Sequence, residues 1–158
     1  MLLNLLLFLG ALAGMEAVAY FTHKYVMHGF LWSLHESHHM PRKGRFEKND
    51  LFAVFFGLPS IVLIYLGVSA YSPLLWVGLG MTAYGFVYFL FHDVLVHRRI
   101  RHRYKPKSGY LKRVVHAHYM HHATRERDGA VSFGFVYAPP LEKLKQERAR
   151  LRAQAQQG

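Results

Sequence analysis

Apolar residues gather in three long runs along this chain, with polar stretches between them. Residues 2–21, 51–71 and 74–91 are almost wholly apolar. As helices the first would measure about 30 Å, the thickness of the hydrocarbon core of a bilayer, and the third about 27 Å. Three membrane spans are therefore predicted. Pro59 inside the second is tolerable in a membrane helix, and Ser72-Pro73 makes a very short turn into the third. Gly78, Gly80, Ala83 and Gly85 offer small positions where helices can approach closely. The polar segment from His23 to Asp50 has a helix stop at Gly29, directly after His28. It continues through a basic turn at residues 41–44, and Asn49 and Asp50 offer N-caps for the next run. Residues 129–138, GAVSFGFVYA, are apolar but too short to span, which predicts an interfacial or re-entrant segment ended by Pro139-Pro140. The tail from Leu141 is charged and Gln-rich and reads as a frayed helix without chemistry.

Charge sharpens this picture. The formal net charge is +11 over 158 residues, a length that suits one domain, 1–158. Lys and Arg are absent from residues 1–22 and 51–91, with five in 23–50 and fifteen in 92–158. Such segregation argues against nucleic-acid binding and against soluble core helices. By the positive-inside rule it puts both basic segments in the cytoplasm and the N-terminus outside. A cleaved signal peptide fits the first run poorly, because no positive segment precedes the apolar stretch. The basic run from Arg98 to Arg113, with Tyr104 and Tyr110 interleaved, reads as an anchor on anionic headgroups. Docking of an acidic protein is its second reading. There is no cysteine, so thiolate-bound metal is excluded.

The polar segments carry the candidate chemistry. His35-Glu-Ser-His-His39 and His118-Tyr-Met-His-His122 are both HxxHH, and each follows an HxxxxH pair, His23/His28 and His92/His97. On a helix the three histidines of HxxHH fall within about 100° and aim at one point. His23 and His28 lie about 140° apart in an ideal helix and could flank a metal rather than share one face. Ten histidines thus form four clusters, with only His102 and His116 left over. Imidazole suits zinc, copper, iron and nickel. Ten ligands exceed one ion's capacity, so two metals of about five histidines each are expected. Asp93, Glu36 and Glu126 lie beside ligand positions and could orient imidazole N–H groups. Glu16, seven residues before His23, either joins them or makes a hydrogen bond within the bundle. His116 lies about 160° from His118 on a helix and is predicted to point away. Phe86, Tyr88, Phe89, Phe91 and Trp32 read as packing or interfacial-belt residues, with the lining of a substrate slot as the alternative. The fold class expected is an all-α integral membrane bundle with a histidine-rich cytoplasmic cap.

The four-cluster pattern resembles the membrane fatty acid hydroxylase and sterol desaturase superfamily. Within it the chain is similar to the bacterial β-carotene hydroxylases, through HKYVMHG, HESHH, PRKGRFEKNDLFAV, GMTAYGFVYFLFHDVLVH, GYLKR, AHYMHHA and VSFGFVYAPP. The resemblance covers nearly everything except the first span and the tail. It implies a di-iron centre on His23, His28, His35, His38, His39, His92, His97, His118, His121 and His122. Zinc is the alternative occupant of a purified sample. It further implies O₂ as co-substrate, electrons from ferredoxin and its reductase, a bacterial inner-membrane location, and hydroxylation of β-carotene at C3 of its β-ionone rings to β-cryptoxanthin and zeaxanthin. A lipid or sterol hydroxylase or desaturase would share every ligand. A carotenoid ketolase fits the surrounding stretches less well. A metal transporter would need polar ligands near the bilayer midplane, where the spans have almost none.

Overall fold

The computed structural model describes residues 1–42 and 44–157, so Lys43 of the predicted basic turn lies outside the described residues. Among the described residues six α-helices follow in order: α1 (Leu2–Phe21), α2 (Trp32–His39), α3 (Leu51–Ser69), α4 (Leu74–Tyr88), α5 (Gly109–His121) and α6 (Leu141–Ala155). Two π-helical stretches extend α1 and α4, at Thr22–Phe30 and Phe89–Val96, and a 3₁₀ turn, Lys48–Asp50, leads into α3. No strand occurs among the described residues. The protein is an all-α membrane bundle whose described residues include three helices long and apolar enough to cross a bilayer. Only 11–17% of each span is buried inside the protein, so the apolar side chains face outward, which excludes soluble core helices.

The first predicted span coincides with α1, and α3 ends two residues before the predicted limit. The third keeps α winding only to Tyr88, then runs on to Val96. α4 packs between α1 and α3. Gly80 makes that possible: a Cβ there would sit 2.5 Å from the Phe8 carbonyl oxygen of α1. Gly78 plays the same part toward Ile64 of α3. Gly85 does not, since nothing lies within 4 Å of its Cβ position; it faces a cavity instead.

Glu16 belongs to the bundle and does not touch a histidine. Its Oε1 accepts the backbone N–H groups of Phe135 (3.0 Å), Val136 (3.0 Å) and Tyr137 (2.8 Å), and its Oε2 accepts the Tyr84 hydroxyl (2.6 Å). Irregular backbone at membrane depth must be satisfied by protein, and this carboxylate does so for the 129–138 segment. Gly134 allows the approach, because a Cβ there would lie 2.9 Å from Glu16 Oε1. The segment is irregular and too short to span, as predicted.

The tail differs from expectation. α6 is docked: Leu144 is fully buried against Val114, Ala117, Val131 and Ala138, with Leu141 and Leu151 beside it. The apolar positions 141, 144 and 151 lie on one helical stripe, which the charged composition masks. Arg99, within the predicted basic run, pairs with Asp50, Glu47 and Asp93.

Candidate metal centre

The two π-helical stretches set the geometry of the HxxxxH pairs. The His97 N–H donates to the His92 carbonyl at 2.9 Å, an i to i+5 bond, and the Leu31 N–H does the same to Val26. That winding turns residues five apart onto one face, so the expected 140° separation does not occur. His23 and His28 have ring centroids 5.3 Å apart, His92 and His97 4.5 Å. The chain leaves helical geometry at Gly29 (φ −114°, ψ −124°), the predicted stop, and α2 then starts afresh.

The histidines form two groups. His23, His28, His35, His39 and His121 bring one nitrogen each to within 4.8 Å of one another, and so do His38, His92, His97 and His118. His122 joins the second, with its Nε2 2.9 Å from His118 Nε2. Neither HxxHH aims all three rings at one point, which corrects the sequence reading. The i and i+4 members stay together, His35 with His39 (3.2 Å between Nε2 atoms) and His118 with His122, while the i+3 member crosses over. His38 lies 4.3 Å from His97 between ring centroids, and His121 lies 4.4 Å from His23. Each group therefore combines one HxxxxH pair, two histidines of the HxxHH that follows it, and one from the other HxxHH.

Seven rings are held from behind by acceptors. His23 Nδ1 donates to the Phe133 carbonyl (2.9 Å), His28 to Arg127 (2.7 Å), His39 to Thr124 (2.9 Å) and His121 to Val131 (3.0 Å). His35 donates to Asn49 Oδ1 (2.6 Å), His38 to Glu47 Oε2 (2.9 Å) and His92 to Asp93 Oδ1 (2.8 Å). A neutral imidazole with its proton on Nδ1 has a bare lone pair on Nε2. Yet His23 and His35, His28 and His121, and His38 and His92 face one another Nε2 to Nε2 at 3.0–3.1 Å. Lone pairs so converged repel unless a cation lies among them, and a metal that accepts imidazole nitrogen fits this donor set. Burial keeps the rings neutral: it lowers the pKa of His35 from 6.5 to about 3 and those of His39 and His97 to about 4. Burial and then the neighbouring histidines hold His38 and His118 well below the usual value.

An apolar cavity of about 350 Å³ opens beside these groups, between α1, α3 and α4. Phe52, Phe56, Met81 and Gly85 line its membrane side, and Tyr88, Phe135, Asn49 and Asp93 its histidine side. Tyr88 stacks on His92 (centroids 4.6 Å, 23°) and Phe135 on His23 (5.0 Å, 11°).

Residues 8–143 match the fatty acid hydroxylase family. The chain belongs to that family. It is 58% identical over 142 residues to a beta-carotene hydroxylase of Pantoea ananas, covering 90% of this chain and 81% of the relative. A beta-carotene hydroxylase of Pseudescherichia vulneris is 55% identical over 151 residues, 94% of this chain and 86% of the other. One from a Paracoccus species is 46% identical over 158 residues, 98% of each. No solved structure matches.

In this member of the fatty acid hydroxylase family, all ten predicted histidines meet in the two groups, and the two left over stay out. His116 is exposed on α5, and His102 donates to the Val94 carbonyl (2.8 Å). Of the three carboxylates beside ligand positions only Asp93 contacts a histidine. Glu36 and Glu126 are exposed: Glu36 because side chains adjacent on a helix diverge by about 100°, which turns it from His35, and Glu126 because it lies on the irregular stretch after α5. Glu47 and Asn49 were missed as histidine partners. Asn49 turns its side chain to His35 and makes no N-cap, while Asp50 closes the 3₁₀ turn by accepting the Glu47 N–H (3.0 Å). Of the five aromatics weighed for a slot only Tyr88 lines the cavity. Phe86 is 62% exposed, Phe91 packs against the α5–α6 core and Trp32 against His28 and His39.

Proposed function

We propose that this chain hydroxylates the β-ionone rings of β-carotene at C3, giving β-cryptoxanthin and then zeaxanthin. The observation that carries this reading is the apolar cavity ending on Tyr88 and Phe135, the two rings stacked on His92 and His23. A lipid-soluble molecule can enter it from the bilayer and bring one end beside the imidazoles. Its volume lies within the roughly 300–1,000 Å³ range of small-molecule sites. Relatives at 46–58% identity bear the name beta-carotene hydroxylase, which supports a carotenoid over a fatty acid or sterol.

In this reading the ten histidines hold two iron ions, five to each, in a single membrane-embedded unit of 158 residues. Iron supplies, with O₂ and with electrons from reduced ferredoxin and its reductase, the oxidising chemistry that turns a ring C–H into C–OH. The protein does the remainder. Carbonyl, amide and carboxylate acceptors fix seven of the ten imidazoles in one tautomer and one orientation. The apolar walls seat the ring and keep water from it. The Lys/Arg segregation supports a site on the cytoplasmic side of the bacterial inner membrane. There the excess of cations would attract an acidic electron donor.

Pigment analysis of cells that make β-carotene, with and without this chain, tests the reading. Appearance of 3-hydroxylated carotenoids supports it. Unchanged β-carotene alongside newly hydroxylated or desaturated lipids would replace it with the lipid hydroxylase or desaturase alternative.

A further inference from the structure

The two histidine groups are alike in composition but not in what stands behind them. All five rings of the first group donate Nδ1–H to neutral oxygens: the carbonyls of Phe133, Arg127, Thr124 and Val131, and the Asn49 side chain. In the second group His38 and His92 donate instead to carboxylates, Glu47 and Asp93. These carboxylates are 10% and 17% exposed and share one cation: Arg99 lies 3.7 Å from Glu47 and 3.6 Å from Asp93, and also pairs with Asp50. Arg42 lies 3.7 Å from Glu47. Three carboxylates therefore meet two guanidinium groups, leaving one net negative charge beside the second group and none at the Nδ1 side of the first.

A carboxylate pulls harder on the imidazole N–H than an amide oxygen does, and it passes electron density to the opposite nitrogen. We propose that Glu47 and Asp93 are positioning residues that make the second metal ion the more electron-rich and more tightly held of the two, with Arg99 as their shared counter-ion. The inference rests on the two-metal reading above. The two sites are then built for different work by the ring of hydrogen bonds around them, although their imidazole ligands are of one kind. Asn49 on the first site is the counterpart of Glu47 on the second: both precede α3 and both face a histidine of α2.

The test is cobalt(II) titration of the purified full chain in detergent against a competing chelator. His97→Ala, which removes a ligand of the second group only, identifies which binding class belongs to that group. Glu47→Gln and Asp93→Asn keep an acceptor oxygen and remove the charge. Each should weaken the second ion by about ten- to a hundredfold, the usual cost of losing such a partner, and leave the first unchanged. Asn49→Asp should do the converse and tighten the first ion alone. Iron-57 Mössbauer spectra should show two unequal signals in the wild type, with only the second moved by Glu47→Gln and Asp93→Asn. Two ions weakened equally by the carboxylate variants, or no change in either, would overturn the proposal while leaving the two-metal reading intact. A wild-type chain that binds a single ion would overturn both. Asn49→Asp loosening the first ion would also count against it.

Discussion

Replacing Glu16 with alanine removes one acceptor from four donors, the N–H groups of Phe135, Val136 and Tyr137 and the Tyr84 hydroxyl. A hydrogen bond to a charged group contributes about 1.5–3 kcal/mol net, so the four sum to roughly 6–12 kcal/mol. That is comparable with the roughly 5–15 kcal/mol that holds a whole domain together. The bundle itself rests on α1, α3 and α4, so the 129–138 segment comes free first. With it go the Phe133 and Val131 carbonyls that orient His23 and His121, and the Phe135 ring stacked on His23. Glu16→Gln retains an oxygen for the three backbone donors and should cost far less, as should Tyr84→Phe, which loses one bond of about 1.5–3 kcal/mol. Amide hydrogen exchange at residues 135–137 in detergent micelles measures the effect. Exchange should rise at least about a thousandfold in Glu16→Ala, equivalent to roughly 4 kcal/mol at about 1.4 kcal/mol per tenfold, with loss of bound metal. Native protection and full metal content in Glu16→Ala would refute the claim that this carboxylate holds the segment over the site.

Three further outcomes are expected. Gly85→Leu fills the cavity without touching a histidine, so metal content should persist while carotenoid hydroxylation falls at least tenfold; full activity would remove the cavity from the substrate path. His116→Met should keep metal and most activity, whereas His118→Met should lose both, as metal analysis of the two variants would show; equal loss would place His116 in the site. The metal-free protein should lose stability as pH falls below about 6.5, because buried neutral rings with pKa values near 3 to 4 take up protons later than the same rings unfolded. The sign follows from the unfolded chain binding more protons in that window, and a melting temperature constant from pH 7 to 5 would contradict it.

Much of the site was legible in the sequence, because HxxHH and HxxxxH spacings are local. All ten histidines, the two spare ones and the division into two fives can be read from residue numbers. The membership of each five cannot be read that way. His38 and His121 cross between groups because α2 and α5 face each other, a tertiary relation with no local signal. The π winding after Phe21 and Tyr88 is likewise unannounced, and assuming ideal α geometry splays His23 from His28 where the structure joins them. Sequence adjacency also misled on carboxylates: Glu36 neighbours His35 yet faces solvent, while Glu47 reaches His38 across a loop. The spans were clear from hydropathy alone, but the docking of Leu144 was hidden by the charges around it.

Metal counting on the crossing histidines tests the central claim most directly. The wild-type chain, purified and reconstituted with iron(II) under anaerobic conditions, should hold two ions per chain. His38→Ala should weaken the second site and His121→Ala the first, each leaving the opposite ion in place, and both should abolish formation of hydroxylated carotenoid. One ion per wild-type chain, or either variant with two tightly held ions and full hydroxylation, would contradict the account.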